Sequence, residues 1–209
     1  MPFDLWIAFV LATTALLMIP GPTVLLVLSY ALSKGRSVAL ASAAGVALGD
    51  FIAMSASLLG LGALILTSAW LFSVVKWIGA AYLVWLGLRL LRSAPDAAGM
   101  TTGTRPDVTA PEVLRHAALV TALNPKSIVF FIAFVPQFLQ PDAALPAQFA
   151  ILIGTFVGLA ALNALAYALL ADRLRRAIAR PAILAWVTRA GGATLIAMGV
   201  LTGLLRRPS

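Results

Sequence analysis

The chain has no cysteine, a single histidine and only seven acidic residues among its 209 positions. The missing cysteine excludes disulfides and thiolate metal sites, and says nothing more about compartment. The shortage of histidine and carboxylate leaves little from which to build a metal cage or a catalytic acid–base pair. Charge of either sign is scarce as well. Asp, Glu, Lys and Arg make up 11% of the residues, where a soluble domain carries about 25%. Hydrophobic residues make up 62%, against about 45–50% in soluble domains, and the mean hydropathy is +1.02. A soluble enzyme or a nucleic-acid-binding module is excluded on these grounds. The composition is that of an integral membrane protein.

A spanning helix needs about 20 predominantly apolar residues. Six segments meet this requirement, at roughly 5–32, 38–66, 69–91, 117–139, 146–170 and 183–205. The net charge of +8 follows from their flanks. Lys34 and Arg36 lie between segments one and two, Arg89, Arg92, Arg105 and Arg115 around the three–four connection, and Arg173, Arg175, Arg176 and Arg180 between five and six. If the segments alternate in direction, all ten fall on one side, and only Arg206 and Arg207 fall on the other. The positive-inside rule puts the three basic loops in the cytoplasm and both termini outside. The N-terminus has no positive region and no small-x-small cleavage site, so a cleavable signal peptide is not expected there.

Residues 92–115 are the one long polar stretch, rich in Gly, Pro and mixed charge, and read as a flexible cytoplasmic linker. It divides a single transmembrane domain into two three-helix halves, 1–91 and 116–209, which the alternating topology makes inverted copies. The expected architecture is therefore all-α, with six transmembrane helices arranged as two inverted three-helix repeats and with helices one and four broken. Weak internal similarity agrees. The last helix of each half opens with a base three residues before a glycine, Lys76 before Gly79 and Arg189 before Gly192. The middle helices pair Gly45 and Gly49–Asp50 with Gly154, Gly158 and Asn163.

The breaks lie at Pro20–Gly21–Pro22, inside the apolar run 5–32, and at Asn124–Pro125–Lys126, inside the run 117–139. A helix broken in a bilayer leaves unpaired backbone groups, which are tolerated only under protein cover or beside a water-filled cavity. Counted from the nearest cytoplasmic end, Pro22 is twelve residues deep, Asp50 twelve, Asn124 nine, Lys126 eleven and Asn163 nine. At about 1.5 Å per residue these positions lie roughly 13–18 Å into a core about 30 Å thick. Four helices thus bring their polar or broken parts to one level, the expected arrangement of a midplane binding site in a secondary transporter.

The residue chemistry fits that role. Thr23 opens the half-helix after the first break, where free N–H groups and the positive dipole end suit a carboxylate. The carbonyls before Pro20 suit an ammonium or cation. Asp50, a costly charge at this depth, can exchange a proton or bind an amine. Lys126 opens the second half-helix at the depth of Asp50 and is expected to interact with it in at least one state. Asn163 reads either as a ligand or as a helix–helix hydrogen-bonding residue. Gly45, Gly49, Gly79 and Gly87 read as helix-packing positions, and their small faces permit a homodimer. Lys76 and Arg189 are expected to snorkel. His116 falls at the membrane boundary, outside the site.

Pro20-Gly21-Pro22 resembles the proline-glycine-proline signature of the LysE superfamily, most closely its RhtB (homoserine/threonine efflux) branch. Gly45-Val-Ala-Leu-Gly49-Asp50, Lys76-Trp-Ile-Gly79-Ala-Ala-Tyr82-Leu83 with Leu86-Gly87, and Asn124-Pro125-Lys126 with Phe130-Phe131 and Pro136-Gln137-Phe138 are similar to that branch's other blocks, in the same order. The resemblance covers nearly the whole chain. It implies a bacterial inner-membrane exporter of amino acids or their derivatives, driven by the proton motive force, with Pro20, Gly21, Pro22, Asp50, Asn124, Pro125 and Lys126 in its functional core. Many members carry asparagine where this chain has Thr23, which leaves the substrate open.

The expected mechanism is alternating access with substrate/proton antiport. The substrate carboxylate would sit near Thr23 or Lys126, its amine near Asp50 or the carbonyls before the break, and Asp50 would carry the proton. The expected partners are thus an amino acid, protons and the lipid bilayer, without nucleic acid, metal or cofactor. A divalent-cation exporter would want several intramembrane carboxylates or histidines, and only Asp50 is there. A channel would also suit a polar midplane. A membrane enzyme would need a catalytic cluster that the sequence does not provide.

Overall fold

The computed structural model describes residues 1–19, 21–34, 36–92, 108–140, 143–171 and 181–204, and the regular structure among them is entirely helical. The elements are α1 (Phe3–Met18), α2 (Pro22–Lys34), α3 (Arg36–Thr67), α4 (Ala69–Arg92), α5 (Ala110–Ala122), α6 (Pro125–Val129), α7 (Leu145–Leu169) and α8 (Pro181–Leu204). After α6 the chain continues through a π turn at Phe130–Phe134 and a 3-10 turn at Val135–Phe138. Four continuous stretches are long and apolar enough to cross a membrane: Val38–Leu64, Trp70–Arg92, Leu145–Leu169 and Ala185–Leu204. Two more spans are bent pairs, Phe3–Met18 with Pro22–Ala31 at 62° and Ala110–Ala122 with Pro125–Phe138 at 44°. Counting each pair once gives six spans, with the first and fourth broken.

Both breaks have the same local cause. A residue before proline is pushed out of the α region. Ile19, which precedes Pro20, has ψ 116°, and Asn124, which precedes Pro125, has ψ 110°. Each new helix then opens on a proline, whose missing N–H is not needed at the first helical position. The Leu25 N–H donates to the Gly21 carbonyl at 3.0 Å, closing the first turn of α2. Pro20 itself lies outside the described residues. Pro136 accounts for the irregular end of the fourth span. It offers no N–H to the preceding turn, and the helix widens to π before it and tightens to 3-10 around it.

The fourth span starts earlier than hydropathy indicates. Residues 110–115, expected in the linker, form the opening of α5. The Thr109 N–H donates to Glu112 Oε2 at 2.7 Å, a capping-box contact. Pro111 falls in the first turn, where proline is tolerated. Residues 93–107 of the linker, and the basic residues 173–180, lie outside the described residues.

α3 packs on α5 and α7, and α4 packs on α8. A Cβ at Gly45 would stand 2.8 Å from Ala117 Cβ, and one at Gly49 would stand 2.7 Å from Thr121 Cβ. A Cβ at Gly87 would stand 2.7 Å from Ile196 Cγ1, and one at Gly79 would press on Ala133. At Gly154 and Gly158, which the sequence pairs with Gly45 and Gly49, a Cβ would meet nothing within 4 Å.

Two principal apolar clusters fill the interior. The first is aromatic, built around Phe9, Phe130, Phe131, Phe134, Phe138 and Phe156, with Phe131 edge-on to Phe156 at 4.7 Å. The second is smaller and mostly aliphatic, built around Leu26, Val27, Tyr30, Val38, Val46, Val113, Ala117 and Ala164.

Candidate functional site

Four spans run from one cluster to the other, and each changes cluster at a polar or broken position. In α3, Val38–Val46 contribute to the aliphatic cluster and Ala53–Leu61 to the aromatic one, with Asp50 between. In α7 the change falls between Ala160 and Ala164, at Asn163. In the first span it falls between Ile19 and Leu26, and in the fourth between Ala117 and Phe130, so each break marks the boundary. The common depth counted along the sequence corresponds to a polar layer between two apolar plugs.

A cavity of about 40 Å³ lies in this layer. Gly21, Thr23, Asp50, Asn124, Lys126 and Asn163 all line it, together with Leu16, Leu17, Ser127, Tyr167 and a wall of Val24, Val27, Val46, Ala160 and Ala164. The volume holds on the order of three water molecules, so any organic solute would require the walls to part.

The second break is built around Asn124. Its Oδ1 accepts from the Lys126 N–H at 3.1 Å and caps α6, while its Nδ2 reaches Thr23 Oγ1 at 3.4 Å. Thr121 Oγ1 approaches the same hydroxyl at 3.5 Å. Lys126 then reaches across to the first break. Its Nζ donates to the carbonyls of Leu16 at 3.2 Å and Ile19 at 3.1 Å, at the end of α1. Asn163 Nδ2 donates to the neighbouring Leu17 carbonyl at 3.3 Å. Side chains from two spans of the second half thus serve the last carbonyls of α1.

Asp50 is 2% exposed. It lines the same cavity as Lys126, close enough for the two charges to act on each other. Its carboxylate has no hydrogen bond or salt bridge from another described residue. The site therefore holds one acid, one ammonium engaged by backbone, five neutral polar side chains (Thr23, Asn124, Ser127, Asn163 and Tyr167) and an aliphatic wall. Such a set can hold a small zwitterion. Among the described residues no group of three or more His, Cys, Asp or Glu side chains stands close enough to hold a metal.

Not every expected residue lines the cavity. Pro22 and Pro125 are exposed and absent from its lining. Their part is to set the breaks, because a ring at the first helical position replaces an N–H that points along the axis. Residue-by-residue reading missed Tyr167 and Ser127; the carbonyls before Pro20 were expected to serve a cation, and that this cation is Lys126 was not. Tyr167 follows Asn163 by four residues, so helical spacing puts both on one face. His116 lies outside the lining, and its Nδ1 is 2.7 Å from the hydroxyl of buried Tyr30.

The family model described as LysE type translocator matches residues 14–205. The chain is 35% identical over 202 residues to an uncharacterized membrane protein of Vibrio cholerae, covering 96% of this chain and 97% of that one. It is 33% identical over 206 residues to the homoserine/homoserine lactone efflux protein of Salmonella typhimurium, covering 99% of each. It is 30% identical over 142 residues to the leucine efflux protein of Klebsiella pneumoniae, covering 68% of this chain and 66% of that protein. No solved structure matches.

Proposed function

The chain belongs to the LysE type translocator family, and from that premise we propose that it exports amino acids or their derivatives across the bacterial inner membrane by proton antiport. The observation that carries this reading is that Asp50 and Lys126 line one small cavity between two apolar clusters. Opposite charges a few bonds apart are what a free amino acid presents. The neutral polar groups Thr23, Asn124 and Asn163 suit its remaining oxygens, and the aliphatic wall suits a short side chain. The names of the relatives, homoserine/homoserine lactone efflux and leucine efflux, support the same substrate class.

The transport cycle follows from the two plugs. Opening the aliphatic cluster would admit a cytoplasmic substrate, and opening the aromatic cluster would release it outside, with the polar layer as the fixed point. The halves 1–91 and 116–209 would rock as inverted repeats, with both termini outside. Asp50 attracts the amine into the polar layer while ionised and loses that attraction once protonated from outside.

The test is export from reconstituted vesicles of radiolabelled homoserine, leucine, threonine and lysine, with and without an imposed proton gradient. Wild type should export at least one of them in a saturable, gradient-dependent way, and Asp50→Asn should lose the gradient dependence. Asp50→Asn working at the wild-type rate with unchanged pH dependence would rule out its proton role.

A further inference from the structure

The ammonium of Lys126 occupies an unusual position. Basic side chains commonly serve helix C-termini, where the dipole is negative, but they do so from the helix's own last turns. α1 has no basic residue in its last turn. The cation that serves it arrives from 110 residues away, at the start of the second piece of the other broken span. Two of the three ammonium donors are spent on the Leu16 and Ile19 carbonyls. The Leu16 carbonyl also accepts the Ile19 N–H at 3.2 Å. The position of a Cβ at Gly21 lies 3.5 Å from Nζ, an ordinary contact distance, so the break lies directly against the ammonium.

We infer that these carbonyls are the amino-group subsite of the transporter, and that Lys126 is its tethered occupant, displaced when a substrate ammonium arrives. A primary alkylammonium carries the same charge and the same three N–H donors as the lysine head, so these acceptors cannot tell the two apart. The exchange keeps one positive charge on the carbonyls throughout, which avoids exposing an unpaired helix end in an apolar interior. It also frees Lys126 to meet the substrate carboxylate or Asp50, which lines the same cavity. In the closed state the lysine therefore acts as an internal competitor, a substitute ammonium that holds the two broken spans together until the substrate does so. This inference rests on the amino-acid export reading for the identity of the displacing group.

The test uses purified full-length protein and methylammonium as the probe. Lys126→Ala vacates room at the carbonyls for a small amine. Its thermal midpoint should rise saturably with methylammonium, by ~3 °C at tenfold over Kd, while wild type does not respond. Tetramethylammonium has the charge but no N–H and should produce no shift. Lys126→Met, which refills the space with an uncharged chain, should also show none. A folded Lys126→Ala that ignores methylammonium, or that responds equally to tetramethylammonium, overturns the inference. Because Lys126→Ala could fail to fold, a structure of wild type with a transported amino acid provides a second reading. The substrate nitrogen should lie within hydrogen-bonding distance of the Leu16 and Ile19 oxygens with Lys126 withdrawn; Lys126 still seated there overturns the inference. The methylammonium response needs no transport, so a wild type that exports no amino acid would refute the export reading while the amine subsite still stood.

Discussion

The hydroxyl of Tyr30 lies 2.7 Å from Nδ1 of His116, 86 residues further along the chain. The bond ties α2, the second piece of the first broken span, to α5, the first piece of the fourth. Tyr30 belongs to the aliphatic cluster that closes the polar layer on the basic-loop side. Tyr30→Phe keeps the ring and removes the bond, a loss of about 1 kcal/mol. If the pair exists only while that side is closed, the open population rises about fivefold. The chain has no native cysteine, so Val27→Cys at the cavity wall gives a clean reporter. Maleimide labelling of Val27→Cys from the cytoplasmic side should quicken by about that factor in the Tyr30→Phe background. Equal rates would mean that the bond is kept in both states.

Glycines that look alike in sequence should respond oppositely. Gly49→Ala would push a methyl to within 2.7 Å of Thr121 Cβ and against the Ala118 carbonyl, where α3 and α5 touch. Neither backbone can give way cheaply, and overpacking of this kind costs about 1–3 kcal/mol. Gly154→Ala meets nothing within 4 Å and gains helix propensity of up to about 1 kcal/mol. Thermal unfolding in detergent should show Gly49→Ala below wild type and Gly154→Ala at or above it. Identical shifts would contradict the packing difference.

These glycines also mark how far the sequence could be read. The breaks were legible because a residue before proline leaves the helix by local sterics alone, and Ile19 and Asn124 do so. The common level of Asp50, Asn124, Lys126 and Asn163 was legible because helical rise converts residue counts into depth. What a small residue packs against is decided by the neighbouring helix, so the sequence match of Gly154 and Gly158 to Gly45 and Gly49 does not carry the packing with it. The early start of α5 depends on a capping contact between Thr109 and Glu112, which an average over hydropathy does not register. Lys126 was expected to face Asp50 or a carboxylate, and the carbonyls before Pro20 were expected to await an ammonium. That the one serves the other depends on the three-dimensional approach of two breaks more than a hundred residues apart.

Thr23 should matter more to selectivity than to stability. Its contacts to Asn124 and Thr121, at 3.4 and 3.5 Å, are at the long limit for hydrogen bonds and contribute little. Thr23→Val, which preserves shape, should leave the thermal midpoint within about 2 °C. It should nonetheless change the order in which amino acids compete for export, because the hydroxyl lines the cavity. A large stability loss with an unchanged substrate order would reverse this assignment.

The aromatic cluster should gate the opposite face. Phe131 is fully buried and stands edge-on to Phe156 at 4.7 Å, in the plug that begins beyond the second break. Phe131→Ala removes about 3–5 kcal/mol of packing, and that loss falls on the state in which this plug is closed. Ala160→Cys reports on it, since residue 160 lines the cavity and belongs to the aromatic cluster. Labelling of Ala160→Cys by an impermeant maleimide should accelerate from the outer face in Phe131→Ala and not from the cytoplasmic face. Tyr30→Phe should give the reverse asymmetry. Reciprocal effects are required if the two clusters open in turn around a fixed polar layer. If either substitution raised labelling from both faces together, the layer would act as a pore with coupled plugs, and alternating access would be wrong for this chain.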